Sequence, residues 1–262
     1  MKKSNNELPI WDLTEIYTDI KDPKIKEDLK NIRKISKEFL ISWKDKIKNL
    51  NSNELVDCIE QYQNINEKIY KIGTHSNLIF ATNMEDPEIS RYNSTISDEV
   101  TDIFSSLIFV SLELSKISDD VFNKWMLSEK AKEWMPYLKI LRKRNPFILD
   151  PLVEEILIEK SATGRSAWVR LFDETSASLR FPFKKEMVSE AEILNYLSDP
   201  DPENRKMAGQ SLSKILEKNK RIFGMILNVI SRDRYIEDNK RGFKRIVSSR
   251  NLDNDVEDEV VD

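Results

Sequence analysis

The sequence predicts an all-α protein of long antiparallel helices forming a bundle-like lobe, with one small β-hairpin near 179–188. Three observations carry this. Only 5 of 262 residues are Gly, far below the roughly 7% of average proteins, so tight turns are few. Apolar residues recur at three- and four-residue steps over long stretches. Asp-Pro pairs punctuate the chain where helices should begin, Pro being tolerated in a first turn whose N–H has no partner anyway.

From Pro23, the residues Ile25, Leu29, Ile32, Ile35, Phe39, Trp43, Ile47 and Leu50 form one face of a helix of about 28 residues, roughly 42 Å long. Ser52 can cap the next, striped by Leu55, Ile59, Tyr62, Ile65, Ile69 and Ile72 and ending near Gly73. A short helix over 76–84 leads to Asp86-Pro87, which starts a third long helix running from Ile89 to Leu114. Ser118-Asp119-Asp120 opens a helix with Val121, Phe122, Trp125 and Met126; Pro136 restarts one that ends on Arg142-Lys143-Arg144, cations suited to the negative helix end. Asp150-Pro151 begins another, which Gly164 should stop in the left-handed conformation, with Ser166 capping the Trp168, Leu171, Phe172 helix. Leu179 to Phe183 and Glu186 to Val188 alternate weakly around Lys184-Lys185, a hairpin pattern. Ser189 with Glu192 reads as a capping box. Asp201-Pro202 starts a helix through Leu216, a separate one follows Asn219, and 239–250 reads as a basic loop. Asn254-Asp255 then offers a cap to a stripe of Val256, Val260 and Val261, predicted to be the first turns of a helix that continues beyond Asp262.

Composition excludes several functions. The 42 Lys+Arg and 46 Asp+Glu leave a net charge of −4 and argue against nucleic acid as a main partner. No run of about 18 apolar residues suggests a membrane span. The Met1–Glu7 start lacks a signal-peptide core, and the lone Cys58 suits a reducing cytoplasm.

Chemistry is limited by the single histidine, His75. Zinc hydrolases draw two or three ligands from His, and nothing here reads His-Glu-x-x-His. His75, between two expected helices, reads as a capping or surface residue, and Cys58 beside Leu55 and Ile59 as a buried inert thiol. The acidic run Asp253, Asp255, Glu257, Asp258, Glu259 and Asp262 lacks the Gly-six and Glu-twelve of a calcium loop, and Asp199-Pro200-Asp201 reads as a helix start. Residues 214–250 carry 11 Lys+Arg against four carboxylates, yet without interleaved aromatics; a solvated face, or one paired with acidic neighbours, is the better reading than a phosphate-binding one. Trp11, Trp43, Trp125, Trp134 and Trp168 read as core. From the residues alone, then, no catalytic, cofactor-binding or metal-ligating residue is assigned.

Several stretches resemble one family, the oligoendopeptidase F branch of the thimet-oligopeptidase-like zinc metallopeptidases. They are Leu8-Pro9-Ile10-Trp11-Asp12-Leu13 through Tyr17, the run from Ser161-Ala162-Thr163-Gly164-Arg165 to Leu171-Phe172-Asp173-Glu174, Ser198-Asp199-Pro200-Asp201 with Arg205 and Ala208, Leu227-Asn228 with Asp233, Arg241-Gly242-Phe243, Ser249 to Leu252, Asn254-Asp255-Val256 and Val260-Val261-Asp262. The resemblance implies a helical peptidase of two lobes around a channel for short peptides, with zinc on His-Glu-x-x-His plus a Glu in a C-terminal half. This chain matches the N-terminal half, ahead of that motif. It implies residues 1–116 as a long-helix lobe, 117–188 as the helical segment with its hairpin, and 189–262 as the beginning of a catalytic domain. The expected partners are short peptides and a catalytic half, with zinc as the intact enzyme's cofactor; neither nucleic acid nor membrane is expected. The rival reading is a self-standing helical interaction module, or half of a split peptidase completed by another chain.

Overall fold

The computed structural model describes residues 11–262. The Met1–Glu7 start and residues 8–10 of the first family-like stretch lie outside them. The described chain is mainly helical, with one two-stranded antiparallel sheet.

Helix α1 spans Pro23–Trp43, with Asp22 accepting from the Lys24 N–H at 2.9 Å. It is shorter than its apolar stripe, which nevertheless stays buried at Ile25, Ile32, Phe39 and Ile47. The chain breaks at Asp45, whose φ is 65°, and a 3-10 turn covers Ile47–Asn49. Glu113 holds that break open: its carboxylate accepts from the N–H of Asp45 at 2.7 Å and of Ile47 at 3.2 Å. α2 (Ser52–Thr82) is one helix of 31 residues where two were expected, capped by Asn51 in a box with Glu54. A Gly inside a helix costs about 1 kcal/mol against Ala. Burying the neighbouring Ile69 and Ile72, about 1.5–3 kcal/mol each, outweighs that at Gly73.

Asp86 caps α3 (Pro87–Leu107), as read. The stripe expected to reach Leu114 continues only after a break at Ile108, as α4 (Phe109–Ser115). Leu107, Phe109, Val110, Leu112 and Leu114 are all buried, more than one straight helix face can hold, and the offset lets both parts pack. α5 (Asp119–Trp125), the unforeseen single turn α6 (Glu129–Glu133) and α7 (Met135–Arg144) close this lobe. Its core joins α1, α2, α3, α4, α5, α6 and α7. Trp125 is sealed in it and donates to the Leu50 carbonyl at 2.8 Å, but Trp11 is 67% exposed, against expectation.

α8 (Pro151–Ser161) starts at Asp150 as read, and α9 (Arg165–Ser178) follows. Gly164 does not take the left-handed stop: its φ is −99°, and it precedes α9 directly, leaving Ser166 inside the first turn. Glycine is needed there for room, since a Cβ would sit 3.0 Å from the Lys160 carbonyl oxygen. Strands β1 (Phe181–Phe183) and β2 (Glu186–Val188) form the expected hairpin, Phe181 opposite Val188. With α10 (Glu190–Tyr196), boxed by Ser189 and Glu192, and α11 (Pro202–Arg241) they enclose a second, smaller core.

α11 runs 40 residues, about 60 Å at 1.5 Å per residue, without the expected break at Asn219. That side chain bonds back to the Ile215 carbonyl at 2.9 Å and leaves the helix intact. The helix consumes the start of the expected basic loop and stops at Gly242 (φ 84°), where the Phe243 N–H reaches the Asp238 carbonyl. α12 (Ser248–Asp253) and α13 (Asp258–Val261) finish the fold. Asn254-Asp255 ends α12 rather than capping the next helix, because the Val256 N–H closes onto the Asn251 carbonyl at 2.9 Å; Glu257 precedes α13. Among the described residues no helix is long and apolar enough to cross a membrane.

Candidate functional site

His75 is fully buried on α2, not at a turn. Its Nδ1 lies 2.9 Å from the Tyr92 hydroxyl, the Tyr17 ring meets it edge-on at 5.1 Å, and Nε2 has no partner. Burial lowers its pKa from 6.5, with Asp22 and Asp19 pulling the other way. No His, Cys, Asp or Glu cluster of three able to hold a metal occurs among the described residues. Cys58 is buried as expected, its thiol pushed up to about 12 by burial and then by Glu113.

The acidic and basic stretches find one another. Lys143 pairs with Asp255 at 2.6 Å, Arg144 with Asp253 at 3.3 Å, and Arg245 with Asp258 and Asp262. Such half-exposed pairs contribute about 0–1 kcal/mol each, enough to align the last helices and not to anchor them.

The anchor is Arg241. Its guanidinium clasps Glu154 on α8 through Nη1–Oε1 at 2.5 Å and Nη2–Oε2 at 2.9 Å, and donates to the Phe147 carbonyl at 3.1 Å and to Glu237 at 2.8 Å. Glu154 is 7% exposed. Burial by itself raises its pKa; the hydrogen bonds from Arg241 and from the Leu149 N–H override that and hold it below 4.5. Beside the clasp the Phe147 and Phe243 rings stack at 4.0 Å.

This clasp forms one wall of a cleft of about 540 Å³ between α4, α7 and α8 on one side and α11 and α12 on the other. Its lining mixes apolar side chains (Leu112, Leu141, Ile148, Ile230) with the guanidiniums of Arg144, Arg165, Arg234, Arg241 and Arg250 and the carboxylates of Glu154, Asp233, Glu237, Asp238 and Asp253. A concave cleft that combines apolar and charged side chains is what a small ligand requires. None of this was assigned from sequence: Glu154 and Arg241 are 87 residues apart, and the one local signal was the Arg241-Gly242-Phe243 triplet. A second, shallow groove follows α11 over Arg221, Met225, Val229, Arg232 and Ile236.

Residues 113–181 match a protein-family model described as Oligopeptidase F. Comparison with curated proteins gives no match. Among solved structures, the chain is similar to oligoendopeptidase-F from Enterococcus faecium (TM-score 0.79, 15% identity), covering 90% of this chain and 48% of that one. It is also similar to a candidate peptidase from Chlamydophila abortus (TM-score 0.56, 16% identity), covering 95% of this chain and 43% of that one. The chain thus spans about half the length of these structures. At such identities the likeness establishes the fold, and with the family match it bears out the resemblance to the N-terminal half of oligoendopeptidase F.

Proposed function

Starting from that likeness, we propose that this chain is the N-terminal portion of an oligoendopeptidase F-like zinc metalloendopeptidase of the cytoplasm, walling the channel that admits short peptides. The observation that carries it is the 90% coverage of this chain by 48% of oligoendopeptidase-F. Helix α8 supports it: the helix buries a glutamate and leaves Leu152, Val153 and Ile156 exposed, and α9 likewise exposes Val169, Leu171 and Phe172. Faces inverted in this way call for a covering surface. Zinc in the catalytic half would polarise the attacking water. This chain's part is to shape the channel and exclude large substrates.

The test is turnover. Purified with zinc, the 262-residue chain is expected to leave a quenched short peptide intact. Combined with the His-Glu-x-x-His-bearing polypeptide encoded in the same genome, in frame or separately, it is expected to hydrolyse it. Hydrolysis by the chain alone overturns the proposal, and so does a combination that stays inactive.

A further inference from the structure

Five arginines and five carboxylates line the cleft beside the Arg241–Glu154 clasp, and they do not all pair with one another. Arg241 is saturated by Glu154, Glu237 and the Phe147 carbonyl. Arg234 donates to Ser249 at 2.6 Å and faces Asp238 at 3.6 Å. Arg144 meets Asp253 through Nη2 only; its Nε is shut away from solvent without an acceptor. Arg165 and Arg250 line the same cleft, and neither has an ion-pair partner among the described residues. The carboxylate that stays unpaired on the lining, Asp233, sits where the cleft meets the shallow α11 groove and lines both.

We infer that this cleft binds the carboxylate end of a short peptide: Arg165 and Arg250 grip the anion, and the apolar lining takes the adjoining side chains. Guanidinium–carboxylate hydrogen bonds are charge-assisted and planar. A volume of about 540 Å³ lies within the roughly 300–1,000 Å³ of small-ligand pockets and holds a few residues, not a folded chain. Asp233, toward the groove, disfavours a second anion there and orients the ligand with its anionic end away from α11. The peptide body comes from the peptidase proposal above; the carboxylate comes from the cleft alone.

The test is equilibrium binding to the whole 262-residue chain, with N-acetyl-Ala-Leu-Phe-Ala as the free acid and as its C-terminal amide. The acid is expected to bind about tenfold more tightly in low salt. The double variant Arg165→Gln/Arg250→Gln, at exposed positions away from both cores, is expected to fold normally by circular dichroism and to bind acid and amide alike. Equal affinity of acid and amide in the native chain overturns the inference, as does binding of neither, or a preference that survives in the variant. Turnover plays no part in this readout. An active two-part enzyme with no acid preference sinks the cleft assignment alone; an acid preference in an enzyme that never becomes active sinks the peptidase proposal alone.

Discussion

His75 is the chain's one histidine, so its titration can be read in the stability of the whole protein. Burial holds its pKa below 6.5 in the folded state, while the unfolded chain takes up a proton as pH falls past 6.5. Stability is therefore full above that value, declines as pH falls toward the folded pKa, and levels off below it. Ordinary carboxylates titrate near 4 and the terminal amine near 8, outside this window. Urea midpoints measured between pH 7.5 and 5 are expected to fall in the native chain and to stay nearly level in His75→Gln. An equal slope in the variant would falsify the assignment. Residue type alone pointed to the wrong place for His75, because Gly73 beside it reads as a helix end. What decides its burial is Tyr17 from before α1 and Tyr92 from α3, partners no local window contains. The cleft residues were illegible for the same reason. An arginine's spacing says nothing about which glutamate lies opposite it across the fold.

Helix starts were legible and helix breaks were not. Asp86, Asp150 and Asp201 each cap the helix whose first turn carries the following proline, and Ser189 with Glu192 closes its box. Those signals act within three residues, so a sequence displays both partners. The break after Trp43 instead depends on Glu113, 68 residues from Asp45. Glu113→Ala removes the acceptor of two backbone donors at once and is expected to destabilise the chain by about 1–2 kcal/mol, most of it from the Ile47 N–H, since water can reach that of Asp45. Glu113→Gln keeps one carbonyl oxygen and should lose about half as much. Chemical denaturation of both variants checks the order; an unaffected Glu113→Ala would mean that Asp45 turns without help. The Asn219 misreading has the opposite origin. A residue that commonly ends helices is tolerated mid-helix because Leu212 and Ile215 before it and Phe223 after it pack against the second core and carry α11 through.

At the scale of the molecule, the two cores leave a long helix only partly covered. Along the α11 groove Met225 is 56% and Ile236 48% exposed, set among Lys220, Arg221 and Arg232. Two forces oppose each other there if copies of the chain meet face to face. Apolar burial is worth about 25 cal/mol per Å² and draws them together. Like charges on both copies push them apart, with a reach of about 10 Å at 0.1 M salt but only about 3 Å at 1 M. Self-association should therefore strengthen with salt, the reverse of contacts built on ion pairs. Sedimentation at rising protein concentration is expected to show weak association in dilute buffer and clear association in 1 M sodium chloride. Met225→Lys/Ile236→Lys adds repulsion and removes apolar area at positions outside both cores, and is expected to abolish it without loss of helix. A native chain monomeric at every concentration and salt would show that this face is adequately solvated as it stands. It would favour a self-standing helical module over a wall awaiting its other half.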